Sequence, residues 1–158
     1  MKTDADKFPV ASAPGARLLM VISPYYKGVA DMMQRGAEGA AEEAKATLDR
    51  VFVPGAFEIP AAIALAAKTA LFDGYLALGC VVRGETSHYD YVCSESARGL
   101  MDLTVREGLA IGYGILTVNT LAQAEERADP CRGDKGGESA RAALAMIALK
   151  RHFAELPR

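Results

Sequence analysis

Sulfur and histidine are scarce in this sequence, with three cysteines and two histidines among 158 residues. Cys80, Cys93 and Cys131 are odd in number and lack CxxC spacing, which argues against a disulfide framework, a zinc ribbon or a dithiol redox centre and fits a reducing compartment. Two histidines, without HExxH or clustered cysteines, leave little from which to build a metal site, so none is expected. The formal charge of −2 gives no basic footprint for nucleic acid, so any anion site has to be built locally. No apolar run reaches membrane-spanning length, and the start, MKTDADKFPVASAPGAR, lacks the apolar middle of a secretory signal. Together these absences predict a cytoplasmic protein with no membrane and no nucleic-acid partner. Three chemical templates are also missing. Gly112 and Gly114 lack the third glycine of GxGxxG, and neither GxxxxGK[ST] nor GxSxG occurs.

What is present is an ordinary soluble composition, 51% hydrophobic and 24% charged, sized for one domain. Residues 1–16 read as a polar tail with Pro9, Pro14 and Gly15, and residues 17–158 as the domain. Short apolar runs then alternate with helical stretches: RLLMVI with DMMQRGAEGAAEEAKA, LDRVFV with IPAAIALAAKTALF, GYLALGCVV with YDYVCSESARGLMDLTVREG, and LAIGYGILTV with LAQAEERA. A last helix follows in ESARAALAMIALKRHFAEL. Apolar strands separated by helices predict a four-stranded parallel sheet covered on both faces, joined by right-handed crossovers.

In open parallel sheets, ligands bind beyond the carboxyl ends of the strands. Four segments hold those places: SPYYK, VPGAFE, VVRGETSHYD and VNT. His88 lies in the third, where it suits proton transfer, although a loop histidine serves equally as a surface residue or a helix cap. Gly84, Glu85, Thr86 and Ser87 lead into a helix whose unpaired backbone N–H groups and dipole attract anions; a plain N-cap at Ser87 or Asp90 is the alternative. Arg127, Arg132 and Lys135 are candidate cationic partners for that anion site, interleaved with acids as in an ordinary charged surface. Phe57 and Glu58, after a Pro-Gly break, could grip a hydroxylated or heterocyclic substrate, or could be a core aromatic and a first-turn acid. Cys80 and Cys93 read as packing residues and His152 as a solvated one.

VPGAFEIP, LGCVVRGETSHYDYVCSESARGL, GILTVNT with LAQAEERA, and DKGG, in this order, resemble the lumazine synthase family of riboflavin biosynthesis over Arg17 to about Phe153. The resemblance implies a flavodoxin-like, three-layer α/β/α fold with a four-stranded parallel sheet. It implies a transferase that condenses 5-amino-6-ribitylaminouracil with 3,4-dihydroxy-2-butanone 4-phosphate to 6,7-dimethyl-8-ribityllumazine, phosphate and water, with no cofactor. By the same resemblance His88 is the proton-transfer residue, and Glu85, Thr86, Arg127 and Lys135 bind phosphate. Tyr25, Ala56, Phe57, Glu58, Cys80, Val81, Val82 and Tyr113 hold the ribitylaminouracil, Tyr113 being supplied by a neighbouring subunit.

The resemblance further implies a homo-oligomer with a pentamer as its building unit, in some members a larger shell, and a functional link to riboflavin synthase. SPYYK departs from the family pattern, so Tyr26 competes with Tyr25 for the stacking role, and Asn119 stands where an acidic residue is common. Two other readings use the same fold. One is a flavin- or lumazine-binding paralogue without turnover, and the other is a shell-forming structural protein.

Overall fold

The computed structural model describes residues 8–158; the part of the expected tail at residues 1–7 lies outside the described residues. The chain forms β1 (Arg17–Ile22), α1 (Lys27–Glu43), β2 (Thr47–Phe52), a 3-10 turn at Ala56–Glu58, α2 (Ile59–Ala67) and β3 (Gly74–Val82). It continues through α3 (His88–Glu107), β4 (Ile111–Val118), α4 (Leu121–Ala128) and α5 (Lys135–Glu155). The strands make one parallel sheet in the order β2-β1-β3-β4. This is the expected flavodoxin-like α/β/α arrangement, with its switch of direction between β1 and β3.

Alternate residues of the central strands feed two separate cores. Leu18, Met20 and Ile22 of β1 with Leu76 and Leu78 of β3 pack under α1, α4 and α5. Leu19 and Val21 with Tyr75 and Ala77 pack under α2 and α3. A strand buried on both faces has no polar positions, which is why RLLMVI and GYLALGCVV are continuous apolar runs. β2 is different. At the sheet edge it carries Asp49 and Arg50, Arg17 pairs with Asp49 at 2.6 Å, and Val51 and Phe52 stand exposed. The apolar strand expected at LDRVFV is therefore a mixed edge strand.

Two helices begin earlier than their patterns suggest. α1 starts at Lys27, a turn before Asp31, with extended Tyr26 at its N-cap. α5 starts at Lys135 because Asp134 caps it, its carboxylate accepting from the Gly137 N–H at 3.2 Å. Gly136 lies where α5 presses on α1, and a Cβ there would collide with the Met33 carbonyl. α4 matches LAQAEERA residue for residue, opened by a reciprocal Thr120–Gln123 capping box. Ahead of β1, Ala13 and Ala16 are fully buried and Gly15 N–H donates to the Lys45 carbonyl at 3.2 Å, so the last residues before the strand join the fold. Among the described residues no helix is long and apolar enough to cross a membrane.

Candidate active site

Parallel strands bring the four loops to one edge of the sheet. Backbone hydrogen bonds fix their roots: Ser23 N–H to Leu78 O at 2.9 Å, Val53 N–H to Ile22 O at 2.9 Å, and Arg83 N–H to Val118 O at 2.8 Å. Tyr25, the 56–58 turn, the end of β3 and the 83–88 loop thus stand beyond the carboxyl ends of β1, β2 and β3.

After β1, the two tyrosines divide. Tyr26 packs against the core, its phenol pushed up in pKa by burial and then by Cys80 and Tyr25. Tyr25 is 75% exposed and makes an edge-to-face contact with Tyr26 at 5.0 Å between ring centroids. After β2, Ala56 is buried while Phe57 and Glu58 project outward. Glu58 occupies the N-cap position of α2 without capping it, and its carboxylate lies back over Gly55. The acidic first-turn reading therefore does not occupy this side chain.

Cys80 is at the end of β3, and burial pushes its thiol up to about 11. A thiol held that high stays protonated near neutral pH and is a poor nucleophile. Alkylation of the native protein with iodoacetamide should label exposed Cys131 first and spare Cys80 until denaturant is added; early labelling of Cys80 would contradict this packing.

Every residue from Arg83 to His88 is exposed. Ser87 stands at the N-cap of α3 but makes no side-chain cap bond. The Thr86 hydroxyl accepts from the His88 N–H at 3.4 Å, and the Asp90 N–H donates to Ser87 O at 3.0 Å. His88 is the first residue of α3. Amides, hydroxyls and an imidazole at a helix N-terminus make a place for an anion beside a proton carrier.

Three of the sequence candidates lie elsewhere. Arg127 is in the last turn of α4, on the opposite face of the sheet from α3, and its guanidinium donates to Gln123 O at 3.1 Å. Lys135 opens α5 on that same face and pairs with Glu138 at 2.8 Å. Tyr113 lies on edge strand β4 opposite Ala77, five residues before the strand ends, or about 16 Å at the usual rise. Its ring is half exposed, and its phenol is pushed up by burial and then by Cys93 and Tyr89. One chain therefore gathers Tyr25, Ala56, Phe57, Glu58, Cys80, Val81, Val82, Glu85, Thr86 and His88, but not Arg127, Lys135 or Tyr113. Among the described residues no three of His, Cys, Asp and Glu converge as a metal site.

A family model described as 6,7-dimethyl-8-ribityllumazine synthase matches residues 15–151. The chain belongs to the 6,7-dimethyl-8-ribityllumazine synthase family. Curated relatives bearing that family's name agree over nearly the whole length. The protein from Methylocella silvestris is 52% identical over 150 residues, covering 92% of each chain. That from Sphingopyxis alaskensis is 54% identical over 138 residues, 87% of this chain and 97% of its own. That from Bartonella henselae is 51% identical over 141 residues, 88% of this chain and 91% of its own. The matched span begins two residues before β1 and ends within α5, so it takes in every loop described above.

One residue that motif reasoning passed over is Arg83, between the end of β3 and the GETSH loop. Its guanidinium lies 4.3 Å over the Tyr89 ring, donates to Asn119 Oδ1 at 3.2 Å and pairs with Asp90 at 3.5 Å. A basic residue directly after an apolar strand was the available signal.

Proposed function

We propose that this synthase-family transferase condenses 5-amino-6-ribitylaminouracil with 3,4-dihydroxy-2-butanone 4-phosphate to 6,7-dimethyl-8-ribityllumazine, phosphate and water. The observation that carries this reading is the N-terminus of α3: an exposed helix start with Thr86, an N-cap Ser87 whose side chain makes no cap bond, and His88, at the carboxyl edge of a parallel sheet. Phosphate is received by the Thr86 hydroxyl and the amides from Glu85 onward. His88 moves protons as the uracil amine attacks the ketone, as phosphate departs and as the ribityl-bearing nitrogen closes the ring. The substrate's own amine is the nucleophile, so the chemistry calls for no resident cofactor or metal.

Tyr25 takes the stacking role, because its ring is exposed while Tyr26 is committed to the core. Glu58, with no partner among the described residues, accepts hydrogen bonds from ribityl hydroxyls, beside Ala56 and Phe57. The backbone of Cys80, Val81 and Val82 reads the pyrimidine edge. Arg127, Lys135 and Tyr113 complete the site from a second copy of the chain, since within one chain they stand apart from the loops. That separation supports a homo-oligomer, with a pentamer as its unit and residues 17–158 as the synthase domain. Three free cysteines support a cytoplasmic location, and the product's chemistry supports a link to riboflavin synthase.

Purified protein given both substrates should form a product with lumazine absorbance, and none when either substrate is omitted. No product from folded, assembled protein would favour a binding paralogue. Arg127→Ala should raise KM for the butanone phosphate about 10- to 100-fold, the equivalent of losing one charge-assisted hydrogen bond of about 1.5–3 kcal/mol. An unchanged KM would remove Arg127 from the phosphate site.

A further inference from the structure

The 84–88 loop has little to hold itself in shape. Its residues are exposed, Ser87 makes no cap bond, and a Cβ at Gly84 would meet open space, so no neighbour confines the backbone there. Both ends of the loop, however, meet at one side chain. Arg83 leaves the end of β3 and reaches across to Asp90 in the first turn of α3. The same guanidinium lies over Tyr89 and donates to Asn119 past the end of β4. One planar, multiply donating group thus ties the strand end, the helix start and the neighbouring strand's exit.

From this geometry we infer that Arg83 is a positioning residue, which closes the base of the loop and so fixes His88 relative to the sheet. The inference rests on the proposed reaction for its kinetic consequence, but the clamp itself is a property of the chain. Asn119 matters to it because a neutral acceptor leaves Asp90 as the one carboxylate paired with Arg83 among the described residues, so the guanidinium's charge is drawn toward α3.

Two measurements on the full chain test this. The first is amide hydrogen exchange of the peptide spanning residues 83–92, where the His88 and Asp90 amides have acceptors to lose. Arg83→Ala should speed exchange in this peptide about tenfold with the peptides of β1 and α5 unchanged. Asp90→Asn, which removes the charge and keeps the shape, should do so to a lesser degree. The second is kinetics. Arg83→Ala should lower kcat about tenfold, since loss of geometry rather than of binding is at stake, with KM for both substrates within about twofold. In a His88→Ala background the same change should cost less than about twofold, because the group it positions is gone.

Unchanged exchange in both variants would overturn the clamp. An equal loss of rate in both backgrounds would overturn positioning of His88, and a raised KM for the phosphate substrate with kcat intact would make Arg83 a ligand contact instead. If the unaltered protein makes no lumazine, the proposed function falls while exchange still judges the clamp.

Discussion

Arg141→Ala is expected to destabilise the fold by about 3–5 kcal/mol, more than any surface substitution considered above. Arg141 and Asp134 form an ion pair at 3.2 Å, with each side chain only 12% exposed. Asp134 is also backed into place. It holds a left-handed backbone at φ 48°, caps α5 through Gly137, and lies against Gly36 of α1, where any Cβ would strike its carboxylate. A carboxylate so enclosed cannot swing out to water when its partner is cut away, so the cost is that of an uncompensated buried charge rather than of one lost contact. Urea unfolding at fixed protein concentration measures it. The paired replacement Asp134→Asn with Arg141→Met should recover much of the loss, because it removes both charges together. A change below about 1 kcal/mol for Arg141→Ala would show that the pair is not the anchor of the α1–α5 contact.

His88→Ala should lower kcat about 100-fold, the usual scale for losing one positioned acid-base group. The position separates chemistry from folding unusually well. His88 is exposed, begins α3 rather than lying within it, and accepts or donates no side-chain hydrogen bond among the described residues. Alanine there leaves the Thr86 to His88 backbone contact intact and removes only the imidazole, so the unfolding midpoint should scarcely move. Steady-state turnover with both substrates saturating gives the answer, and an unaltered kcat would take His88 out of the reaction.

How far the sequence could be read depended on whether a residue's environment is local. β1, β3 and α4 match their patterns to the residue because burial on both faces, or a capping pair three residues apart, is written into adjacent positions. β2 was less legible: LDRVFV looks like its sister strands, and its place at the sheet edge is settled by which strand pairs with β1, not by its own residues. Gly136 and Gly137 look like helix breakers, yet they lie inside α5 because a side chain at Gly136 would strike the Met33 backbone of α1 and one at Gly137 would strike the capping Asp134 carboxylate.

The same division runs through the site. Glu85, Thr86 and His88 are visible because they follow an apolar strand and precede a helix. Arg83 was not singled out, since its partner Asn119 is 36 residues away in sequence and adjacent only once β3 and β4 pair. Arg127 and Lys135 stood beside Arg132 as basic candidates that spacing could not tell apart, the resemblance to the family singled them out, and their standing on the far face from α3 is a matter of topology alone.

The strand order also sets a timetable for synthesis. β1 lies between β2 and β3, so its second partner emerges some fifty residues after it. The face that α5 covers waits longer, since more than a hundred residues separate Ile22 from Lys135. At roughly 5–20 residues per second, Leu18, Met20 and Met33 stand without their final cover for roughly 6–20 s in each nascent chain. The interval in which this protein is most open to misassembly therefore ends only when the last helix arrives.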